Sequence, residues 1–80
     1  MPERLKTGNK VVGTRRVTKA LEAGQVAVCY LAQDADLFIA TKIRGLCEEK
    51  RVKLVEVSTM KQLGQACGVE VPTASAGLLL

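Results

Sequence analysis

Apolar and polar positions along this chain switch between two periods, and each switch marks a change of element. Lys10-Val11-Val12 is a short β-branched run that reads as a first strand. From Thr14 to about residue 23, Val17, Ala20 and Leu21 fall at helical spacing, and Gly24 is the stop signal. Val26-Ala27-Val28-Cys29-Tyr30-Leu31-Ala32 is continuously apolar between Gln25 and Gln33-Asp34, the pattern of a strand covered on both faces. Asp34 or Asp36 then offers an N-cap, and Ile39, Ile43, Leu46 and Cys47 form one helical stripe before the polar end Glu48-Glu49-Lys50-Arg51.

The remaining pattern completes the alternation. Residues 52–57 read as a third strand, Ser58 or Thr59 as the cap of a short helix ending at Gly68, and Ala76–Leu80 as a final apolar strand. Residues 3–8 form a short polar segment compatible with a helix that Gly8-Asn9 would end. Helices alternating with strands predict an α/β fold: a three-layer α/β/α sandwich around a small four-stranded mixed sheet. Eighty residues make one domain, residues 1–80, with room for a modest core but not for two.

Composition removes several classes of function. No apolar run approaches the roughly twenty residues of a membrane span, and the polar start lacks a secretory apolar region, so a soluble, cytoplasmic protein is expected. Cys29, Cys47 and Cys67 are odd in number and irregularly spaced, which fits neither a disulfide framework nor a familiar zinc site. Cys29 lies in an apolar run and Cys47 on an apolar helix face, so both read as small buried hydrophobes. The chain has no histidine, which excludes Ser-His or Cys-His nucleophiles and histidine metal sites. Neither a phosphate-binding P-loop nor a dinucleotide glycine pattern occurs. Asp34 and Asp36 are more economically helix caps than a catalytic pair. No enzyme, no cofactor and no metal are expected.

Charge changes the picture more. Residues 1–20 carry six cations against one acid, while the other sixty carry six cations against seven acids, so the net +4 is concentrated at one end. Such a patch points to nucleic acid or an anionic membrane surface. Gly13 lets the backbone turn tightly, Thr14 is placed to cap the helix, and the first N–H groups point outward at the positive end of the dipole. Arg15, Arg16 and Lys19 lie within about one quadrant of a helix turning 100° per residue, largely opposite Val17, Ala20 and Leu21. Helix starts usually attract acids, so cations there carry an electrostatic cost that a bound polyanion relieves. Phosphate is the natural candidate.

Two further features qualify the partner. The loop Val69-Glu70-Val71-Pro72-Thr73-Ala74-Ser75 opens with two apolar residues around an acid; Val69 and Val71 either tuck into the core or offer a surface to a base or sugar, and Pro72 stiffens the loop. Tyr30 and Phe38 both fall in apolar elements, leaving no aromatic ring on which single-stranded bases could stack. An RNA partner would therefore be read as a folded shape.

Gly13-Thr14-x-x-x-Thr18-Lys19-Ala20, followed by Leu63-Gly64-Gln65-Ala66-Cys67-Gly68-Val69-Glu70-Val71, resembles the kink-turn RNA-binding ribosomal protein family of the archaeal L-seven-Ae type. The Gln33-Asp34-Ala35-Asp36 turn also fits, and the likeness runs from about Lys10 to the C-terminus. The resemblance implies a sandwich that binds a sharply bent helix, internal loop and helix of RNA with tandem sheared G·A pairs. It implies that Gly13 and Thr14 approach the RNA backbone and that Lys19 contacts phosphate or a guanine edge. Val69, Glu70 and Val71 would belong to the loop that covers an extruded nucleotide, with Val69 and Val71 packed on the base.

The chain departs from the archaeal pattern at Arg15-Arg16, where that pattern has Asn-Glu, and at Met60, where it has a lysine; Lys61 follows one position later. Arginine donates two hydrogen bonds to guanine O6 and N7 but cannot accept from guanine as a carboxylate does, which shifts affinity towards salt-sensitive phosphate contacts. These departures resemble the bacterial branch of the family. The expected partner is structured RNA containing a kink-turn, in ribosomal, ribosome-associated or riboswitch RNA, with the protein a monomer. The alternative is a protein-interaction module whose basic helix docks an acidic protein.

Overall fold

A computed structural model describes residues 9–80; the polar segment at residues 3–8 lies outside the described residues. The chain alternates β1 (Lys10–Val12), α1 (Thr14–Glu22), β2 (Val26–Ala32), α2 (Leu37–Lys50), β3 (Lys53–Val57), α3 (Met60–Cys67) and β4 (Ser75–Leu79). The four strands form one mixed sheet in the order β1-β4-β2-β3. β4 runs antiparallel to both β1 and β2, while β2 and β3 are parallel. The expected α/β sandwich is the observed architecture. The last strand begins one residue earlier than the apolar pattern indicated, because Ser75 already pairs with Leu31.

The period of two in β2 distributes its side chains between the two faces of the sheet. Cys29 and Leu31 join Val17, Ala20, Leu21, Ala40, Ile43 and Cys47 beneath α1 and α2. Tyr30 and Ala32 join Leu63, Cys67, Val57, Ala76 and Leu78 beneath α3. Strict alternation would put Val26 on the α3 side, yet it packs on the α1/α2 side. The register shift between Val26 and Val28 against β4 inserts one residue and turns Val26 to the opposite face.

Caps fix where the helices begin. Asp36 accepts hydrogen bonds from the N–H groups of Phe38 and Ile39 at the start of α2, at 2.9 and 3.4 Å. Thr59, rather than Ser58, caps α3 by accepting from the Gln62 N–H at 3.0 Å. Asp34 Oδ1 reaches across the end of the sheet to accept from the Met60 N–H at 2.7 Å, so both loop acids serve helix starts, on different helices. Arg44 of α2 pairs with Glu56 of β3 at the surface. No helix among the described residues is long and apolar enough to cross a membrane.

All three thiols are buried. Desolvation pushes the Cys29 thiol far up, with the neighbouring Cys47 adding to the effect, and burial raises Cys47 and Cys67 as well. The thiolate is the reactive form, so these cysteines are inert while the domain is folded. A thiol-reactive dye is expected to label none of the three in the native protein within the time that it labels all three in denaturant. Rapid native labelling would mean that a helix opens readily from the sheet.

Candidate nucleic-acid interface

Because β1, β2 and β3 all point the same way, α1, α2 and α3 each start from the same end of the sheet. The loop returning from α3 enters β4 at that end too. Gly13 links two of these segments: its N–H donates to the Ser75 carbonyl at 3.0 Å, and its own carbonyl accepts from the Val17 N–H at 3.0 Å. Its φ of 99° and ψ of 144° lie where an L side chain is strained, so glycine is needed for the backbone turn although nothing would crowd a Cβ.

The cap of α1 differs from the sequence expectation. Gly13 occupies the N-cap position, no side chain caps the helix, and Thr14 is already its first helical residue. The Thr14 hydroxyl is drawn instead to the buried Ser75 hydroxyl, 3.1 Å away, tying α1 to β4. A start without a side-chain cap leaves its first N–H groups to solvent or to a ligand.

Arg15, Arg16 and Lys19 are all exposed, largely opposite the buried Val17, Ala20 and Leu21. There is no acid in the first turn. Lys19, however, belongs to the last turn of this nine-residue helix, where a cation suits the dipole. The electrostatic cost therefore falls on Arg15 and Arg16 alone. Helical side chains lean towards the N-terminus, which directs Lys19 back along the face the arginines occupy.

The loop of residues 68–74 folds back along α3 before reaching Ser75. The Val69 N–H donates to the Gly64 carbonyl at 3.0 Å and the Thr73 N–H to the Met60 carbonyl at 3.1 Å, while the Thr73 hydroxyl holds the Ser75 carbonyl at 3.1 Å. The Val71 carbonyl lies directly on Gly64, where a Cβ would overlap it. The two valines divide the alternatives between them: Val69 packs partly against the α3-side core, whereas Val71 is 65% exposed. Glu70 is exposed beside them.

With Lys61, Gln65 and Pro72, these three residues line a cleft of about 420 Å³. Lys61 and Gln65 join the site only in the folded structure. Their spacing of four puts them on one face of α3, a signal legible only once the loop is known to lie beside that face. Met60 packs partly into the core, so Lys61 is the cation α3 presents to the cleft.

One expectation fails outright. Tyr30 is buried, but Phe38 is 80% exposed, next to Leu37 at 76%. The face of α2 turned to the core carries Ile39, Ile43 and Cys47, and Phe38 precedes that stripe in a first turn that begins five residues past the end of β2. The protein therefore does present an aromatic ring.

Among the described residues no three His, Cys, Asp or Glu side chains gather as a metal site. The arrangement is one of a helix start without a side-chain cap, cations and a loop with an exposed valine along one rim.

Comparison with known proteins places the chain in a family. The chain is 43% identical over 67 residues to the RNA-binding protein TTE2299 of Caldanaerobacter subterraneus subsp. tengcongensis, covering 84% of this chain and 82% of the relative. It is 36% identical over 75 residues to the RNA-binding protein YbxF of Geobacillus stearothermophilus, covering 94% and 92%. The solved 15.5kD RNA binding protein of Giardia lamblia superimposes with a TM-score of 0.89 at 29% identity, covering 98% of this chain and 69% of that one. A Bacillus halodurans protein of unknown function shares the fold, with a TM-score of 0.82 at 24% identity. The family model of the ribosomal protein L7Ae/L30e/S12e/Gadd45 family matches residues 1–79, and the chain belongs to that family.

Proposed function

We propose that this protein is a non-catalytic RNA-binding protein that recognises and stabilises kink-turn RNA with tandem sheared G·A pairs. The observation that carries the reading is the juxtaposition, through Ser75, of two surfaces at one end of the sheet. One is the start of α1, without a side-chain cap and with exposed Arg15 and Arg16. The other is the loop with exposed Val71 and the neighbouring Lys61. A bent RNA crowds phosphates together, and cations beside free helix N–H groups relieve that repulsion. Arg15 and Arg16 also have the donor geometry for guanine O6 and N7. Val69 and Val71 supply an apolar cover for an extruded base, and Glu70 an acceptor at its rim. The relatives named as RNA-binding proteins support the partner class.

In this reading the protein acts as a cytoplasmic monomer on ribosomal, ribosome-associated or riboswitch RNA. The test is a titration, in near-physiological salt with magnesium, against a kink-turn RNA and a control with Watson–Crick pairs in place of the sheared G·A pairs. Tight binding to the first alone is expected. Equal, salt-labile binding to both would reduce α1 to a generic polyanion patch and favour an acidic protein partner.

Val71→Asp is expected to weaken kink-turn binding tenfold or more, with stability changed by less than about 0.5 kcal/mol because the side chain is exposed. Urea denaturation beside the titration checks both halves. Unchanged affinity would remove the loop from the interface.

A further inference from the structure

Phe38 is the protein's single phenylalanine, and with Tyr30 buried it is the exposed aromatic ring of the chain. We propose that Phe38, with Leu37 and Lys42, is a stacking platform for an unpaired nucleobase of the bound RNA, lying outside the kinked element itself. The inference rests on the RNA-binding reading above and extends its footprint from α1 and the α3–β4 loop onto the start of α2.

Three observations carry it. First, the platform lies at the same end of the sheet as the proposed interface. α1 and α2 pack side by side on one face of the sheet and start from the same end, and packed helices lie about 8–10 Å apart. The start of α2, with Phe38, thus lies at the same end of the sheet as the turn that bears Arg15 and Arg16. Second, the local chemistry suits a nucleotide. Phe38, Leu37, Thr41, Lys42 and Asp36 border an open hollow of about 630 Å³, and Lys42 stands one turn beyond Phe38 on the same helix face. A planar ring flanked by a cation matches a base and its phosphate. The nearby carboxylate of Asp36 is occupied with the Phe38 and Ile39 N–H groups.

Third, the patch is anchored but small. The cap fixes the Phe38 backbone, which limits the ordering cost of stacking. A stable protein interface covers about 800 Å² per partner, and one aromatic ring with one leucine falls well short of that. A nucleobase needs only the ring face.

The test uses the full chain and a series of forms of one kink-turn RNA: a minimal form with blunt stems, and forms with a short unpaired extension on each strand end in turn. A fluorescent adenine analogue placed in the extension reports stacking. Base–aromatic stacking corresponds to about a five- to hundredfold gain in affinity, so one extended RNA is expected to bind the wild type more tightly than the blunt form by that factor, with quenching of the analogue. Phe38→Ala is expected to abolish both the gain and the quenching while leaving affinity for the blunt RNA unchanged; Phe38→Trp is expected to keep them.

A gain that survives Phe38→Ala would overturn the proposal, as would an equal loss on blunt and extended RNA. A concentration-dependent dimer lost in Phe38→Ala, without any effect of the extension, would assign the patch to a second copy and also overturn it. Preference for the kink-turn over its Watson–Crick control is read separately on the blunt RNAs, so failure of the kink-turn reading shows there and not in the Phe38 comparison.

Discussion

Arg15→Ala combined with Arg16→Ala is expected to lower affinity for kink-turn RNA by between about thirtyfold and ten-thousandfold, on the basis of about 1–3 kcal/mol for each arginine that reads a guanine. The dependence of affinity on salt is expected to flatten as well, by nearly one log unit per lost phosphate contact if the guanidinium groups also neutralise phosphates. The stability change has the opposite sign. Both side chains are exposed at the positive end of the α1 dipole, with no acid in the first turn to offset them. Their removal stabilises the helix start by a few tenths to about 1 kcal/mol each. The double variant should therefore melt no lower than the parent while binding far more weakly. Comparable losses on the kink-turn and on its Watson–Crick control would show that the arginines supply attraction without shape recognition.

The second large effect is expected at Gly64. In isolation, alanine in place of glycine inside a helix adds about 1 kcal/mol of stability. Here the added methyl group would overlap the Val71 carbonyl oxygen, with the carbonyl carbon at 3.2 Å and the Pro72 Cα at 3.5 Å. These are backbone atoms, which no rotamer change can move aside. The loop of residues 69–73 must shift outward, stretching the hydrogen bonds that tie Val69 to Gly64 and Thr73 to Met60. Overpacking costs about 1–3 kcal/mol, so Gly64→Ala is expected to be neutral to about 2 kcal/mol destabilised in urea.

Binding should suffer more than stability. The displaced loop no longer holds Val71 in its place over α3, and losing the cover over one base corresponds to a five- to hundredfold drop in affinity. A protein stabilised by about 1 kcal/mol with unchanged affinity would show that the loop adapts and that its observed position is not required.

Much of the fold is legible in the hydrophobic pattern because each element buries a face whose period is intrinsic to its backbone. The stripe Ile39, Ile43 and Cys47 could serve only a helix, and the unbroken run from Val26 to Ala32 only a strand covered on both sides. Strand order was less legible, since β4 inserts between β1 and β2 by contacts that span most of the chain. The reversal at Val26 was not legible at all, because a bulge depends on the partner strand's register.

The same division holds at the site. The basic sequence around Thr14 marked a cationic helix start, and the buried side of α1 follows from Val17, Ala20 and Leu21. Thr14 is not the cap its sequence position suggests, because its hydroxyl has a choice between its own helix and Ser75, sixty-one residues away. Asp34 serves α3 rather than α2 for a similar reason: its carboxylate reaches a helix start that lies 26 residues on in sequence and adjacent in space.

By itself, then, the sequence determined the elements, the two faces of the sheet, and the presence of a cationic helix start with an apolar loop far downstream. These rest on local periodicity and local charge. Only the tertiary structure decided that the α1 start and the loop meet through Ser75, that Lys61 rather than Met60 borders the cleft, and that Phe38 stands in solvent. Each of those depends on which distant backbone lies beside a residue, and neighbours across a folded sheet leave no period in the chain.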